Sequence, residues 1–535
     1  MDRRSFLLSA GGASLAALAS GAGFARWQEI TPTVHYPGRE EGHFLRDARA
    51  LPAPSGVVET DIVILGSGIA GLTAAWKLGR EGAKALMVDG PQAFGNAAGA
   101  RYGELECPTG AHYLPLPSLE STHVRAILAD LGIIERDPYG ETPYYDERYI
   151  VHAPEERLLV NGQWQEGLVP VLGVPEPELA EQRRFFAQME RLRAQRGADG
   201  KRLFVFPSAL SSSDLAHADL DGISFKQWLD REGYRAPSLH WYLNYCCRDD
   251  YGARYDRVSA WAGLHYFAGR SGRAANASDS AVLTWPGGLA PLAAGMAARS
   301  GIARRPGTAV RVRRTGGGVE VLCFSLQNGV PTTYSVRARK AICAMPVFVA
   351  ARVVEGIGEY GFDARRHLPE YAPWLVANFV MRHAPREHGD LPLSWDNVVQ
   401  DEPGLGYVVS THQDIRMEPA ERSVFTAYVA LSHKTPLEAR RWMQTASAEE
   451  LIELASADLK AAYGWTLAAN VERVDITLRA HAMAVPAPGF RANAGMAALR
   501  AADGPVLFAH ADLSGLSVFE EASWWGWRAA ERALA

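Results

Sequence analysis

The chain of 535 residues is long enough for about two or three domains, and its 47% hydrophobic and 21% charged residues are typical of globular proteins. A formal net charge of −5 gives no basic footprint of the kind that binds nucleic acid, so nucleic acid is excluded as an expected partner. The five cysteines are odd in number and lack CxxC spacing, which predicts neither a disulfide framework nor a metal site.

The first 25 residues have the three parts of an export signal. Arg3-Arg4 stand before Phe6-Leu7, a weakly apolar run follows, and small residues occupy two cleavage positions, Ser20-Gly21-Ala22 and Gly23-Phe24-Ala25. The paired arginines indicate the twin-arginine route, and the glycines and serines make the run a poor membrane span. We therefore expect a twin-arginine signal peptide over residues 1–25, the export machinery as a partner, and a periplasmic mature protein.

A dinucleotide-binding fingerprint begins at residue 61. Residues 61–65 predict a strand, Gly66-Ser67-Gly68-Ile69-Ala70-Gly71 has the GxGxxG spacing, and helical spacing continues over residues 72–82. A second predicted strand, residues 83–88, ends at Asp89, which comes 23 residues after Gly66. A glycine-rich loop alone is weak evidence, but strand, loop, helix and acid in this order predict a Rossmann-type unit.

Each part of this fingerprint has a physical role in holding a dinucleotide. Gly66 permits the tight turn, Gly68 lets the backbone reach the diphosphate, and Gly71 lets the helix pack close to the strand. The N-terminus of the helix offers free N–H groups to phosphate, and Asp89 accepts hydrogen bonds from a ribose diol. Nicotinamide and flavin dinucleotides both use this unit, so the fingerprint leaves the choice between them open.

Further elements are predicted along the rest of the chain. Residues 178–196 form a helix with acids at its start, arginines at its end, and Gly197 as its terminator. Ser447-Ala448-Glu449-Glu450 is a capping box that opens a helix through Tyr463. Residues 504–512 read as a strand that enters a loop at Asp512, and residues 520–535 read as a closing helix.

Segments spread along the chain share their motifs with one family of flavoproteins. In chain order they are Phe94-Gly95-Asn96-Ala97, Cys107-Pro108-Thr109-Gly110-Ala111-His112-Tyr113, Trp285-Pro286-Gly287-Gly288, Thr308-Ala309-Val310, residues 338–346, and the strand, acid and helix at the C-terminus. With these motifs the chain resembles the flavin-containing amine oxidoreductase family, which includes monoamine and polyamine oxidases and phytoene desaturases. The resemblance covers residues 58–535 in patches. The chain departs from the family pattern at Asp89, at Phe94-Gly95 and at Ala511-Asp512.

The resemblance implies an α/β fold with a discontinuous Rossmann-type FAD-binding domain (residues 58–125, 280–348 and 470–535). An α+β substrate domain (residues 126–279 and 349–469) is inserted into it. The resemblance implies FAD held by Gly66, Gly68, Ile69, Ala70, Gly71, Asp89, Gly95, Asn96, Gly110, Ala111, Val310 and Asp512. We expect this FAD to be non-covalent, because no Cys or His occupies an obvious attachment position within the motifs. A flavin held by both ends of the chain is loaded before export and carried inside the folded protein, which reconciles the cofactor with the signal.

His481, His112 and Tyr113 are the candidate catalytic residues, because the family's segments bring them beside the flavin. The implied reaction is hydride transfer from a substrate C–H bond to flavin N5, with His481 managing a proton near neutral pH. An amine or polyamine is the favoured substrate, and the electron acceptor is not predicted. Two alternatives remain: a desaturase or porphyrinogen-type oxidase that acts on an apolar substrate, and a non-catalytic flavoprotein. The second alternative arises because the family's usual aromatic residue is missing near Ala480.

Overall fold

A computed structural model describes Trp27 and residues 30–47, 51–214, 217–327, 330–387, 389–418, 420–464 and 466–535. The predicted signal, residues 1–25, lies outside these described residues and stays a prediction. Within the described ranges, no helix is both long enough and apolar enough to span a bilayer.

A five-stranded sheet with all strands parallel, here called the parallel sheet, forms the centre of one half of the molecule. Its strands, in spatial order, are Ala303–Arg305, Ala85–Val88, Ile62–Leu65, Lys340–Cys343 and Val506–Phe508. The central strand Ile62–Leu65 is buried along its whole length, as expected where helices cover both faces of a parallel sheet. The five strands come from three separate parts of the sequence. All of them lie inside the segments predicted for the FAD domain, although the domain division itself stays a prediction.

Three helices pack so closely beside the parallel sheet that backbone meets backbone. A Cβ atom on Gly526 of the closing helix Phe519–Leu534 would lie 2.0 Å from the carbonyl oxygen of Ala70 in helix Ile69–Arg80. A Cβ atom on Gly79, also in helix Ile69–Arg80, would lie 1.8 Å from the carbonyl oxygen of Ser300 in the third helix, Ala290–Ser300. Glycine is therefore required at both crossings, since any side chain would force the helices apart.

A second, eight-stranded sheet, here called the large sheet, forms the other half of the molecule. Its strands, in spatial order, are Thr33–His35, Val471–Ala484, Tyr371–Met381, Ser423–Ala430, Tyr407–Val409, Asp396–Val399, Glu156–Val160 and Gln163–Glu166. The long strand Val471–Ala484 pairs antiparallel with Tyr371–Met381, so residues placed in the predicted C-terminal FAD segment belong to the large sheet. The strand Thr33–His35, which the sequence did not predict, pairs in parallel with the same long strand.

The remaining elements complete an α/β fold with a Rossmann-type domain, which confirms the predicted fold class. A four-stranded sheet contains Thr308–Thr315, Gly318–Gln327, Val330–Ala338 and Val57–Glu59. The short strand pairs are Gly99–Tyr102 with Leu105–Pro108, Tyr113–Pro115 with Val282–Thr284, and Ile134–Arg136 with Tyr144–Tyr145. The further α-helices are Arg39–Arg46, Thr122–Asp130, Glu176–Ala194, Asp219–Gly222, Phe225–Arg231, Pro237–Tyr251, Ala260–Ala268, Ala290–Ser300, Val347–Val353, Ala364–His367, Pro436–Thr445, Ala448–Ala455, Ala457–Tyr463, Thr466–Asn470 and Ala494–Ala501.

The predicted helix boundaries hold to within a few residues, with one exception. The helix expected over residues 178–196 runs from Glu176 to Ala194. The capping box at Ser447 is present, but the helix that it opens ends at Ala455, and a second helix starts at Ala457. The prediction of one continuous helix through Tyr463 was wrong. Ser456 ends the first helix with its own N–H bonded back into that helix, and its hydroxyl donates to the carbonyl oxygen of Glu453.

The crossing at Gly526 gives a test of this packing. Replacing Gly526 by Ala should lower the free energy of unfolding by about 1–3 kcal/mol, because the closing helix must move away from Ala70. Gly42 is the matched control, since it also lies in a helix but a Cβ there meets no atom within 4 Å. Gly42→Ala should leave stability unchanged or raise it by up to about 1 kcal/mol. Denaturant unfolding measures both, and equal effects of the two changes would contradict this packing.

Candidate functional site

The loop after strand Ile62–Leu65 has the geometry of a phosphate cradle. Gly66 adopts a φ of +112°, and its Cβ would lie 2.7 Å from the carbonyl oxygen of Ala344. A Cβ on Gly71 would lie 1.9 Å from the carbonyl oxygen of Gly66. Gly68 differs, because no atom lies within 4 Å of its Cβ position. The outer glycines are thus required by close packing, whereas Gly68 presents open backbone on the side where a diphosphate would approach.

The helix that follows this loop leaves its first N–H groups without a side-chain cap. Gly68 is the N-cap residue, and the first backbone hydrogen bond into the helix is from Leu72 N–H to the Gly68 carbonyl. The N–H groups of Ile69, Ala70 and Gly71 therefore point out of the helix end. These N–H groups can donate hydrogen bonds to a phosphate group, and the positive end of the helix dipole favours its negative charge.

A second loop, which contains Gly95 and Asn96, lies against the phosphate cradle. A Cβ on Gly95 would be 3.6 Å from the Cα of Gly68. The Asn96 carbonyl accepts a hydrogen bond of 2.8 Å from Ala111 N–H, and a Cβ on Gly110 would lie 2.2 Å from that same carbonyl oxygen. The structure therefore brings Gly95, Asn96, Gly110 and Ala111 together. Asn96 and Ala111 are exposed.

Asp89 lies at the end of strand Ala85–Val88, where the ribose acceptor was predicted. Its Oδ1 accepts a hydrogen bond of 2.8 Å from Nε of Arg304, on the neighbouring strand, and Nη2 of Arg304 is also 2.8 Å from Oδ1. No hydrogen bond within the described ranges uses Oδ2, so this oxygen can still accept from a diol. Arg304 is a neighbour that sequence reasoning missed, because strand Ala303–Arg305 is distant in the chain.

Val310 lies at a bulge in strand Thr308–Thr315. Ala309 pairs with Cys323 and Arg311 pairs with Leu322, which leaves Val310 as the extra residue outside the ladder. Its backbone can therefore bond a ligand instead of a strand, as the predicted contact with adenine requires. The side chain of Val310 packs in a small apolar cluster with Leu322, Phe324 and Phe44, and the last two rings stack with centroids 4.5 Å apart.

Asp512 is buried, and its Oδ2 already has two protein donors. Oδ2 accepts from the Tyr371 hydroxyl at 2.6 Å and from Val347 N–H at 2.8 Å, and Oδ1 lies 3.1 Å from His510 Nδ1. Burial by itself would raise the pKa of Asp512, but these partners outweigh it and hold the pKa below its usual value. The carboxylate thus links the C-terminal segment to both sheets. Its contact with a cofactor stays a prediction.

His112 and Tyr113 join an aromatic cluster, defined as His112, Tyr113, Trp395 and Tyr428. The His112 ring centroid is 4.6 Å from that of Tyr428, 5.0 Å from Tyr113 and 5.6 Å from Trp395. The Tyr428 hydroxyl also donates to the Gly110 carbonyl at 3.0 Å. Burial lowers the pKa of His112 to about 3, so this imidazole is neutral at physiological pH. The cluster connects the segment around Ala111 to the large sheet.

Two half-buried carboxyl groups, Asp249 and Asp396, lie near this cluster, and the exposed Glu156 pairs in register with Asp396 on the neighbouring strand; the three are here called the acidic group. Burial, with Asp250 beside it, raises the pKa of Asp249 to about 7. Burial also raises the pKa of Asp396, and the charges of Glu156 and Asp249 raise it further. After burial, the charge of Asp249 is the next largest cause of the raised pKa of Tyr113. No local sequence pattern marks these three residues as neighbours, so only the tertiary structure reveals the group.

His481 lies apart from this cluster. Its ring stacks on Phe348 with centroids 4.7 Å apart and an interplanar angle of 29°. No hydrogen bond or ring contact in the described ranges joins it to His112 or Tyr113, although the next residue, Ala482, accepts from the Asn96 side-chain amide at 2.7 Å. Partial desolvation and the cations Arg440 and Arg352 lower the pKa of His481 to about 4, although the residue keeps exposed surface on its strand. This lies below the near-neutral pKa expected from the sequence, which does not show which cations fold against the imidazole.

One cation in the site was not predicted. Arg479 lies on the long strand of the large sheet and donates from Nε to the Thr109 carbonyl at 3.1 Å. Its Nη1 donates to Gln92 Oε1 at 3.0 Å and to Asn96 Oδ1 at 3.3 Å. The guanidinium thus reaches from the large sheet into the second loop of the cradle.

Comparisons with known proteins agree with this architecture. The NAD(P)-binding Rossmann-like domain family matches residues 64–131, and no curated protein matches the chain. Putrescine oxidase bound to putrescine has a similar structure, with a TM-score of 0.61, 18% identity, and coverage of 89% of this chain and 99% of that one. Cyclohexylamine oxidase from Brevibacterium oxydans IH-35A gives a TM-score of 0.58 and 18% identity, covering 89% and 98%. A CLA-producing fatty acid isomerase from P. acnes gives 0.58 and 14%, covering 88% and 98%. At these identities the likeness is one of fold.

Proposed function

We propose that this chain is an FAD-dependent oxidoreductase whose substrate is an amine. The observation that carries the proposal is the position of the aromatic cluster and the acidic group. The Tyr428 hydroxyl of the cluster bonds Gly110, which with Ala111 lies beside the phosphate cradle, and the charges of Asp249 and Asp396 act on Tyr113 of the same cluster. A dinucleotide bound at Gly110 and Ala111 would thus lie near groups that attract a cation.

The residues of this site fit a dinucleotide. The cradle at Gly68 and the free N–H groups after it suit a diphosphate, Asp89 Oδ2 suits a ribose diol, and the bulge at Val310 suits an adenine edge. When bound, FAD supplies a two-electron acceptor for a hydride from substrate. The chain contributes position and field around it, and Asn96 and Ala111 are the exposed residues beside which the ring system would extend.

The acidic group favours a cationic substrate for an electrostatic reason. Carboxyl groups that are buried near one another raise each other's pKa because their charges repel in a medium of low polarity. An ammonium group placed among Glu156, Asp249 and Asp396 offsets that repulsion. The carboxyl groups can then lose their protons and become carboxylates. The faces of Tyr428 and Trp395 add cation–π attraction. Neutral His112 adds no positive charge, and the nearby Arg270, whose charge lowers the pKa of Asp249, is already paired with Asp250 at 2.8 Å.

Similar folds act on amines and on an apolar molecule. Two of the similar structures are a putrescine oxidase and a cyclohexylamine oxidase, whereas a third is a fatty acid isomerase. An apolar substrate would leave the acidic group without a partner, at a free-energy cost. The acidic group therefore supports the amine over the apolar alternative.

We also propose that the protein is exported folded by the twin-arginine route. The proposal rests on the N-terminal sequence around Arg3-Arg4 and on a cofactor site assembled from both ends of the chain. A cofactor made in the cytoplasm must be enclosed before the protein leaves it.

The proposed activity is tested by flavin reduction with amines. Purified protein should be yellow, release FAD on denaturation, and lose its oxidised flavin absorbance anaerobically with putrescine or cyclohexylamine but not with the corresponding alcohols. Reduction by unsaturated fatty acids alone would overturn the amine assignment, and a colourless protein that takes up no FAD would overturn the flavin assignment.

Asp249 gives a second test, based on pH. Its pKa of about 7 means that it is half protonated at pH 7, and a bound ammonium lowers that pKa, so binding should release a proton. Amine affinity should rise with pH through 7, provided the amine stays charged. Asp249→Asn should weaken binding about 10- to 100-fold and abolish the release, as measured by calorimetry in two buffers. Exposed Asp256→Asn is the matched control, and the same loss in both variants would refute the role of Asp249.

His481 is tested by two substitutions that separate chemistry from packing. His481→Ala removes the ring, and His481→Phe keeps an aromatic ring against Phe348 but removes both nitrogens. If the imidazole accepts a proton, both variants should slow single-turnover flavin reduction by about 100-fold or more while FAD stays bound. The wild-type rate should also fall as pH drops through about 4, where the imidazole becomes protonated. A normal rate in His481→Phe would retire the catalytic assignment.

The export proposal predicts that changing Arg3-Arg4 to Lys-Lys traps folded, FAD-loaded protein in the cytoplasm. Cell fractionation with flavin fluorescence of each fraction measures this. Periplasmic delivery of the variant at the wild-type level would contradict the twin-arginine route.

A further inference from the structure

Arg479 is a deeply placed cation for which the described residues provide no acidic partner. Its Nη2 is buried and has no hydrogen-bond partner in the described ranges, and its three hydrogen bonds all go to neutral oxygens. Other interior arginines are satisfied differently. Arg157 pairs with Glu387 at 2.8 Å, and all three guanidinium nitrogens of Arg125 donate to backbone carbonyls.

An arrangement of this kind is costly unless a ligand completes it. A buried charge without a counter-ion loses hydration that neutral acceptors only partly replace. Burial lowers the pKa of Arg479 to about 10, so the side chain still carries its charge at neutral pH. The site therefore holds a positive charge and an unused donor, which together are complementary to an anion with several oxygens.

The position of Arg479 identifies the anion. The guanidinium binds Gln92 and Asn96, and the residue between them in space and sequence, Gly95, lies against Gly68 of the phosphate cradle. The cradle and its second loop have no cation of their own, since residues 62–76 and 90–100 contain no Lys or Arg. A diphosphate in the cradle would meet helix N–H groups, and the second loop is contacted by Arg304, which is already paired with Asp89, and by Arg479, for which the described residues supply no acid.

We propose that Arg479, supplied by the large sheet, is the counter-ion of the dinucleotide diphosphate. This inference rests on the proposed function, in that the chain binds a dinucleotide. It gives the long strand Val471–Ala484 a direct role in cofactor binding and means that the bound cofactor fastens the large sheet to the parallel sheet. Arg479 is a binding residue in this proposal, with no part in the chemical step.

The experiment compares FAD with ADP, which has the diphosphate but no flavin. Both are titrated into the full chain freed of bound nucleotide, and affinity and the ligand-induced rise in melting temperature are recorded. Arg479→Met should weaken the binding of FAD and of ADP by a similar factor, about 10- to 100-fold, and should reduce the rise in melting temperature that each ligand causes. The affinities of Arg479→Lys for both ligands should lie between those of Arg479→Met and the wild type. Lysine keeps the positive charge but lacks the planar guanidinium that binds Asn96 and Gln92. Exposed Arg422→Met is the matched control and should bind both ligands as wild type does.

The two ligands make the proposal falsifiable. Unchanged affinity of Arg479→Met for both ligands would overturn it, and so would a loss for FAD with normal ADP binding, which would place the guanidinium at the flavin. If Arg479→Met fails to fold, Arg479→Lys decides, and wild-type affinity for ADP in that variant would overturn the proposal. Wild-type protein that binds ADP but not FAD would refute the proposed flavoprotein function and leave the test of Arg479 valid. Binding of neither ligand by wild type would refute both.

Discussion

The close contact between Gly71 and the carbonyl oxygen of Gly66 sets the geometry on which the rest of the site depends. Because no side chain separates them, helix Ile69–Arg80 starts directly at the end of strand Ile62–Leu65, with its first N–H groups free. The same helix must then accept the closing helix at Gly526, again without an intervening side chain. Close packing at Gly71 and Gly526 thus sets where a diphosphate would bind, and it brings the C-terminal helix beside helix Ile69–Arg80.

The site is made where two sheets with different physical character meet. The parallel sheet contributes backbone donors and a single acid, Asp89, which suits the sugar and phosphate parts of a dinucleotide. The large sheet contributes aromatic faces and most of the carboxyl groups, which suits a small cation. Gly110 and Ala111 lie between the two, held by the Asn96 carbonyl on one side and the Tyr428 hydroxyl on the other. A chain with only one of these halves would have either a cofactor site or a cation site, and the proposed reaction needs both.

Electrostatics in the interior are unbalanced in two places, and the imbalances have opposite signs. Burial and neighbouring carboxyl groups raise the pKa values of Asp249 and Asp396, and Arg479 holds a positive charge for which the described residues supply no acid. Each arrangement is unfavourable in the protein alone and becomes favourable with a ligand of the opposite charge. Asp512 shows the contrasting case, because its hydrogen bonds from Tyr371 and Val347 satisfy it within the protein.

The sequence alone determined the local parts of this protein. Glycine spacing, apolar runs and capping residues act over a few neighbours, so the cradle, its strand and helix, and the fold class were predictable from residues 61–89 and the C-terminal motifs. The tertiary structure decided everything that depends on distant partners or on burial. It pairs Arg304 with Asp89, brings Glu156 beside Asp396, sends Arg479 into the cradle, and moves the pKa of His481 to about 4. These properties could not be derived from sequence, because contact across hundreds of residues and the loss of hydration are set only when the two sheets pack together.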